Sequence, residues 1–219
     1  MIHLTINKQL IGDSDYGLKG ETDMNLKGSK TYENLMRAFA GESMARNRYN
    51  IASAIAKQEG FHVVGAVFDY TADQERAHAK VFYQKLKYFA GDNIYISGAY
   101  PVDLYDDTVK ALRAAQHNEL EEWDEVYKSF GQTAREEGFP DIAHTFEGIA
   151  KIEKTHADRF GRLADEIENA SIFRKEDEIA WMCTVCGNIH VGKEAPQICD
   201  VCQHPQGFFM PFAESFYEK

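Results

Sequence analysis

Acidic and histidine side chains interrupt the apolar stripes of four long amphipathic segments, and this feature limits the possible folds more than any other. The segments cover about residues 30–59, 61–90, 106–137 and 139–168, and each is long enough for a helix of roughly 45 Å. Apolar residues recur along each segment at helical spacing, but the middle of every stripe is polar. The interrupting residues are Glu42, Glu75, His78, Glu119, Glu122, Glu153 and His156.

At matching depth on four packed helices, these glutamates would lie together inside the protein. Burying carboxylates without a compensating charge is very unfavourable, so the groups must be protonated or neutralised. Too few lysines and arginines share the stripes to neutralise them. Two multivalent cations would do so, and the pattern therefore favours a buried site for two metal ions.

The spacing of these residues repeats between the two halves of the chain. Glu75-x-x-His78 and Glu153-x-x-His156 each place a carboxylate and an imidazole one turn apart on one face of a helix. Another glutamate precedes each motif, by 33 and 34 residues. The halves thus form a quasi-repeat, and its two-fold pseudo-symmetry suits a pair of metals on the axis. This ligand set matches that of ferritin-like di-iron proteins.

Short turns are predicted to join the four segments in pairs. Gly60 separates the first two, and Gly138 with Pro140 separates the last two, so each pair is predicted to be an antiparallel hairpin. Residues 91–107 lie between the pairs and are long enough to cross one end of a bundle. We therefore predict a mainly α protein whose four-helix bundle has one long crossover, with the buried stripe of the third helix running on to Ser129.

Four cysteines near the carboxyl end predict a second metal site. They form two Cys-x-x-Cys pairs separated by twelve residues, and the four are Cys183, Cys186, Cys199 and Cys202. Two tight turns of this kind direct four thiolates at one centre, as zinc or iron requires. Two disulfides would need an oxidising compartment, to which nothing in the sequence directs the chain. The spacing alone leaves zinc and iron open.

The remaining composition argues against nucleic acid and membrane partners. Thirty-five acidic residues against 24 lysines and arginines give a formal net charge of −11, and no basic run is present. No apolar run approaches the ~20 residues that span a bilayer. The amino-terminal residues lack the basic and then apolar pattern of a secretory signal. We therefore expect a cytoplasmic protein that binds neither nucleic acid nor a membrane.

Six motifs, in order along the chain, resemble those of the rubrerythrin family: AFAGESMARNRY, TADQERAHAK, NELEEWDEVYKSF, AREEGF, IEKTHADRF and CTVCGNIHVGKEAPQICDVCQHP. The resemblance covers about residues 24–212. It implies an N-terminal extension at 1–28, a ferritin-like di-iron bundle at 29–170 and a rubredoxin-like iron domain with four cysteine ligands at 171–219. Two features depart from the family pattern. The first two dozen residues have no counterpart in its compact members, and Gln203 follows the second cysteine pair where glycine would give the easiest turn.

The resemblance also implies which side chains bind metal. The di-iron ligands would be Glu42, Glu75, His78, Glu119, Glu122, Glu153 and His156, and a third iron would be held by Cys183, Cys186, Cys199 and Cys202. Glu122 would exchange with His78 on one iron as the oxidation state changes, because the harder, more charged ferric ion favours another carboxylate. Tyr49 and Tyr127 lie near these acids in sequence and are either ordinary core aromatics or hydrogen-bond donors that orient a carboxylate.

The implied activity is that of a non-haem di-iron peroxidase, which reduces hydrogen peroxide to water. Electrons would reach the cysteine-bound iron from a rubredoxin or from an NAD(P)H-dependent reductase. Because the fourth helix and the linker place the tail far from its own di-iron site, we expect a head-to-tail homodimer in which each tail serves the partner's bundle. Two alternatives stay open: a ferritin-like iron oxidase that uses dioxygen, and a non-catalytic adaptor with a zinc ribbon.

Overall fold

A four-helix bundle and a small three-stranded sheet make up residues 25–215, the part of the chain that the computed structural model describes. The helices are α1 (Lys30–Gln58), α2 (His62–Lys85), α3 (Thr108–Glu121), α4 (Tyr127–Glu136) and α5 (Pro140–Glu168). The predicted mainly α bundle with one crossover is confirmed. The first 24 residues of the expected N-terminal extension lie outside the described part. Between residues 25 and 215, no helix has both the length and the apolar character needed to cross a membrane.

A glutamate in the turn of each helical hairpin caps the first helix of the other hairpin. Glu59, just after α1, accepts hydrogen bonds from the backbone N–H and the hydroxyl of Thr108 at the start of α3. Glu137, just after α4, accepts hydrogen bonds from the backbone N–H groups of Lys30 and Thr31 at the start of α1. Helix N-termini favour anions because their first N–H groups are unpaired and the positive end of the helix dipole lies there. This reciprocal capping helps to set the depth at which the inward-facing residues of the two hairpins meet.

Two apolar clusters fill the bundle, one on each side of a polar middle layer. In one cluster the rings of Phe82 and Phe146 stack with centroids 5.0 Å apart, and in the other Phe68 and Phe160 stack at 5.1 Å. Each fully buried side chain of this size contributes about 1.5–3 kcal/mol relative to an exposed one. These clusters offset the cost of the polar layer that they enclose.

The third helix of the bundle contains a π-helical turn, Glu122–Val126, that joins α3 to α4. A π turn inserts extra backbone into the helix and rotates all later side chains around its axis. The expectation that Ser129 is buried was therefore wrong: Ser129 is exposed, and Tyr127 and Ala134 face the core instead. The prediction failed because it extended an uninterrupted 3.6-residue period through the turn.

The tail is an antiparallel sheet with strand order β2-β1-β3. Its strands are β1 (Arg174–Cys183), β2 (Ile189–Glu194) and β3 (Phe209–Pro211). Trp181 is fully buried at the centre of the tail, and its indole N–H donates a hydrogen bond to the carbonyl of Gly192 at 3.0 Å. This small core supports the cysteine-bearing turns.

The tail packs against the turn between α1 and α2. The imidazole of His62 stacks on the ring of Phe208, with centroids 3.8 Å apart and planes 12° from parallel. Arg162 on α5 forms a two-pronged ion pair with Glu214 at 2.9 and 3.0 Å. The backbone of Gly207 lies so close to the carbonyl of Gly60 that a Cβ on Gly207 would meet its oxygen at 1.7 Å. Sheet and bundle therefore meet at a contact that needs a glycine.

Candidate metal centre

The polar middle layer consists of four carboxylates and two imidazoles from α1, α2, α3 and α5. These side chains are Glu42, Glu75, His78, Glu119, Glu153 and His156. The four carboxylate residues are at most 1% exposed, and the two histidines are buried. Each glutamate–histidine pair lies one helical turn apart on α2 or α5, so the sequence directs both groups of the pair to the same side. The structure thus brings six of the seven sequence-predicted bundle residues into one layer.

Two of the glutamates bridge the two histidines. His78 Nδ1 lies 3.1 Å from one oxygen of Glu75 and 3.0 Å from one oxygen of Glu153. His156 Nδ1 lies 3.0 Å from the other oxygen of Glu75 and 2.8 Å from the other oxygen of Glu153. The two imidazole rings are 5.7 Å apart and nearly parallel, with 17° between their planes. Each bridging carboxylate therefore offers one oxygen to each of two neighbouring positions.

The remaining two glutamates lie at the ends of this arrangement. Glu42 Oε2 is 3.8 Å from His78 Nδ1, and Glu119 Oε2 is 3.7 Å from His156 Nδ1. Donor atoms of Glu42, Glu75, His78 and Glu153 all lie within 4.8 Å of one another, and so do those of Glu75, Glu119, Glu153 and His156. The layer thus contains two overlapping four-donor groups related by a pseudo-two-fold axis.

Many polar atoms of this layer make no well-aligned hydrogen bond, even where the imidazole of His156 faces a carboxylate oxygen at 2.8 or 3.0 Å. These atoms are Glu42 Oε2, Glu75 Oε1, Glu119 Oε2, both oxygens of Glu153 and both ring nitrogens of His156. Buried polar atoms in folded proteins are nearly always satisfied, so a concentration of orphaned acceptors calls for a cation at their centre. Carboxylate and imidazole donors in this arrangement suit a di-iron pair. The residues present therefore fit the two ions that the sequence pattern requires.

Protonation in the metal-free layer follows from burial and from the facing charges. Burial, followed by the charge of Glu153, raises the pKa of Glu42 well above its usual range, and burial and Glu75 do the same to Glu119. Burial by itself lowers the pKa of His156, but the facing carboxylates of Glu119, Glu153 and Glu75 outweigh it and raise this pKa to about 12. The metal-free layer therefore retains protons that a bound cation would replace.

Two buried tyrosines donate hydrogen bonds to the terminal glutamates. The hydroxyl of Tyr49 on α1 donates to Glu119 on α3, and that of Tyr127 on α4 donates to Glu42 on α1. Each tyrosine thus reaches across the bundle to the other hairpin, rather than to the acid nearest to it in sequence. The sequence left two interpretations of these tyrosines, ordinary core aromatics or hydrogen-bond donors. Their hydrogen bonds favour the second, in which each tyrosine orients a carboxylate.

Glu122 lies outside both four-donor groups. It is the first residue of the π turn, and it lines a cavity beside the layer together with Tyr127. Burial raises its pKa to about 8, and the charges of Glu153 and Glu75 act in the same direction. The sequence reasoning missed the π turn that puts Glu122 there. The sequence did contain one signal. Tyr127, a bulky aromatic residue, follows Glu122 by five positions, whereas residues on one face of an α-helix are three or four apart.

The four cysteines converge in the tail. Cys183 Sγ lies 3.6 Å from Cys202 Sγ, and Cys186 Sγ lies 3.7 Å from Cys199 Sγ. All four sulfur atoms lie within 4.8 Å of one another, as a tetrahedral thiolate site requires. Two of the four residues are buried, whereas Cys186 is exposed. One edge of this site is therefore accessible from outside.

The two cysteine turns share one backbone conformation. Gly187 has φ +76° after the first pair, and Gln203 has φ +61° after the second. In each turn the residue after the pair donates its N–H to the carbonyl of the first cysteine. Gln203 is thus a non-glycine residue in the left-handed region, and its side-chain amide donates to the carbonyls of Cys199 and Asp200 at 3.2 and 3.3 Å.

Family models match both the bundle and the tail of this chain. The rubrerythrin family model matches residues 33–164, and the model of the rubredoxin-like domain of rubrerythrin matches residues 181–210. Rubrerythrin from Porphyromonas gingivalis is 42% identical over 91% of this chain and 99% of that protein. Rubrerythrin from Clostridium perfringens is 45% identical over 88% of this chain and 99% of that protein.

Solved structures show the same fold at lower identity. A mixed-valence state of nigerythrin has a TM-score of 0.56 and 24% identity, and the match covers 95% of this chain and 100% of that one. The bacterioferritin of Desulfovibrio desulfuricans has a TM-score of 0.60 and 21% identity, over 68% of this chain and 85% of that one. Because a family model covers more than half of the sequence and close relatives match nearly all of it, the chain belongs to the rubrerythrin family of iron-binding di-iron proteins, which take part in oxidative-stress defence.

Proposed function

We propose that this chain is a hydrogen peroxide reductase whose electrons are relayed by its own cysteine-bound iron. The observation that carries the proposal is the presence, on one chain, of a buried carboxylate–imidazole layer and a partly exposed four-thiolate site. The family relationship supports it. A ferritin-like iron oxidase would use the layer but would give no role to the cysteines, and a zinc-ribbon adaptor would give none to the layer.

In this proposal the bundle domain at 29–170 holds two irons and the tail domain at 171–219 holds one. Glu75 and Glu153 would offer one oxygen to each ion. Glu42 and His78 would complete the donor set of one ion, and Glu119 and His156 that of the other. Glu122 would be the seventh ligand and would exchange with His78, as the resemblance implies.

The residues around the pair have distinct roles in the reaction. Hydrogen peroxide takes up two electrons and two protons and leaves as two water molecules, and the iron pair supplies the electrons when bound. Tyr49 and Tyr127 hold the carboxylates of Glu119 and Glu42 in position through their hydroxyl groups. The apolar clusters above and below the layer exclude water from those two sides, and the cavity lined by Glu122 lies beside the layer.

The electron route runs in this proposal from a rubredoxin or an NAD(P)H-dependent reductase to the tail iron, and then to a bundle. The tail contacts α2 at His62, and 13 residues separate His62 from Glu75. That separation corresponds to roughly 20 Å of helix, which is long for rapid transfer within one chain. A head-to-tail homodimer, in which the tail serves the partner's bundle, shortens the route.

Metal content and substrate preference test the proposal. Protein from an iron-replete host should contain about three irons per chain, two in the bundle and one in the tail. The reduced protein should be oxidised faster by hydrogen peroxide than by dioxygen. Faster oxidation by dioxygen would favour the iron oxidase, and a colourless protein containing zinc would favour the adaptor.

A cysteine variant tests the relay. Cys199→Ser removes a buried sulfur ligand and should abolish turnover driven by the reductase, while chemically reduced protein still undergoes one oxidation by peroxide. Equal steady-state rates in the variant and the parent would contradict the relay role.

A further inference from the structure

A cavity of ≈ 210 Å³ lies beside the metal layer, beneath the crossover that joins the two hairpins. Tyr100 and Pro101 of the crossover line its outer side. Glu122 and Tyr127 line its inner side, and the hydroxyl of Tyr127 reaches Glu42 in the layer. The cavity therefore adjoins the one sequence-predicted bundle ligand that stands outside the two four-donor groups.

Arg48 on α1 lines the same cavity, and its Nε is buried with no hydrogen-bond partner. The other arginine in the wall, Arg37, has a partner for each of its three nitrogens: its Nε donates to the Ser97 carbonyl, and its terminal nitrogens donate to Asn34 and Glu33. A buried guanidinium nitrogen without a partner is unfavourable, and a carboxylate is the partner that its planar fork fits best. Arg48 thus has donor capacity that the surrounding fold does not use.

Two carboxylates line the cavity, Glu121 and Glu122, and Glu121 already lies 3.4 Å from the imidazole of His117, so Glu122 is the candidate partner of Arg48. The negative charges of Glu153 and Glu75 repel the ionised form of Glu122, whereas Arg48 and His78 attract it. His78 belongs to the metal layer and Arg48 belongs to the cavity wall. One cationic group near Glu122 thus belongs to the metal layer, and the other belongs to the wall of the cavity that Glu122 lines.

We propose that Arg48 is a positioning residue that holds the Glu122 carboxylate on the cavity side of the metal layer and so sets the balance between its outward and metal-bound positions. This inference rests on the proposed function, in which Glu122 exchanges with His78. Arg48 does not touch the reacting atoms, and its effect passes through Glu122.

The reduction potential of the di-iron centre measures that balance. Ferric iron favours the additional carboxylate, so releasing Glu122 from Arg48 should stabilise the oxidised centre. We expect Arg48→Gln to favour the metal-bound position about tenfold, which lowers the midpoint of a one-electron step by about 59 mV. The measurement is a redox titration of the iron-loaded protein followed by visible absorption, without peroxide. Arg46→Gln is the matched control, because Arg46 is exposed on the same helix; its midpoint should equal that of the parent.

A double-variant cycle separates this effect from simple loss of positive charge near the iron. In a Glu122→Gln background the carboxylate is absent, so adding Arg48→Gln should leave the midpoint unchanged. An equal fall in both backgrounds would overturn the proposal, because Arg48 would then act directly on the metal. If Arg48→Gln does not lower the midpoint in the otherwise unaltered protein, the proposal is overturned as well.

Iron content and thermal unfolding must match the parent before the titration is interpreted. If Arg48→Gln does not load iron, Arg48→Lys is titrated instead. It keeps the charge but cannot form a two-pronged pair, so a threefold effect is expected, about 28 mV in the same direction; no shift would refute the role. Because the titration contains no peroxide, a chain that fails to reduce peroxide but shows the shift would refute the proposed function and support the positioning role.

Discussion

Replacing Gly207 by alanine should release the tail from its own bundle without unfolding either part. A Cβ at position 207 would lie 1.7 Å from the carbonyl oxygen of Gly60 and 2.9 Å from its carbonyl carbon. Real Cβ atoms do not approach other atoms within 3.0 Å. Both obstructing atoms belong to the backbone of the α1–α2 turn, which is fixed by the two helices. The tail therefore has to move away by more than about 1 Å.

The energetic cost follows from the contacts that such a movement breaks. The stack of His62 on Phe208, with planes 12° apart at 3.8 Å, is worth about 0.5–1.5 kcal/mol beyond its buried area. The ion pair between Arg162 and Glu214 is half-exposed and adds little. A loss of about 1.4 kcal/mol corresponds to a tenfold increase in the undocked population. Trp181, Cys183 and Cys199 belong to the tail's own buried cluster, which moves with the tail, so the cysteine site should be unaffected.

Limited trypsin digestion measures the undocked population. Arg174 and Lys175 begin β1, and the Lys175 side chain is tied to Glu166 of α5 at 3.0 Å while the tail is docked. Cleavage here should be about tenfold faster in Gly207→Ala, because cleavage tracks the open form when opening is fast. Gly192→Ala is the matched control, since its added Cβ comes closest to the side chain of His190, at 3.0 Å, and meets the backbone only at an ordinary 3.7 Å from the Glu194 oxygen. Unchanged cleavage in Gly207→Ala, with a normal visible spectrum of the tail iron, would refute the reasoning.

Three further predictions concern the two metal sites. Tyr127→Phe should destabilise the protein by about 1–3 kcal/mol because it removes the hydrogen bond to buried Glu42, whereas Tyr95→Phe, at an 88% exposed position, should not shift thermal unfolding. Iron affinity should rise about tenfold per pH unit for each proton displaced, because Glu42 and His156 hold protons that the metal must replace. Burial raises the pKa of Glu42, and the facing carboxylates raise the pKa of His156 to about 12 despite its burial. Competition with a chelator at about pH 6 and pH 8 measures the affinity, and equal affinity at both pH values would contradict the prediction. Gln203→Val should destabilise the tail by about 1–2 kcal/mol, because a β-branched residue is strained at φ +61°; an unchanged guanidinium midpoint for loss of the tail iron's colour would refute it.

The positions of the inward-facing acids could be read from the sequence because they rest on local rules. A Glu-x-x-His pair lies on one helical face in any helix, and the cost of burying several carboxylates forces them to share cations. The same holds for the cysteine pairs, where a two-residue gap determines the turn. The turn after Cys202 also follows the expected geometry, although Gln203 occupies the place of a glycine and has a positive φ.

Other features depended on how the helices pack against one another. Ser129 was expected inside and lies outside, because the π turn changes the helical period at Glu122, and the spacing of Tyr127 hints at this change without locating the extra residue. Tyr49 and Tyr127 bond acids on the opposite hairpin, a pairing that requires the crossing of two helices distant in sequence.

The sequence by itself determined the bundle, its two-fold repeat and the identity of the metal-binding side chains that we propose, since helical periodicity, turn residues and the cost of burying charge act over a few residues. Only the tertiary structure decided that Glu122 stands apart from the other acids, that Arg48 lines the same cavity beneath the crossover, and that Gly207 touches Gly60. These relations join residues from different elements, and their free energies depend on distances that are set when the helices and the sheet pack together.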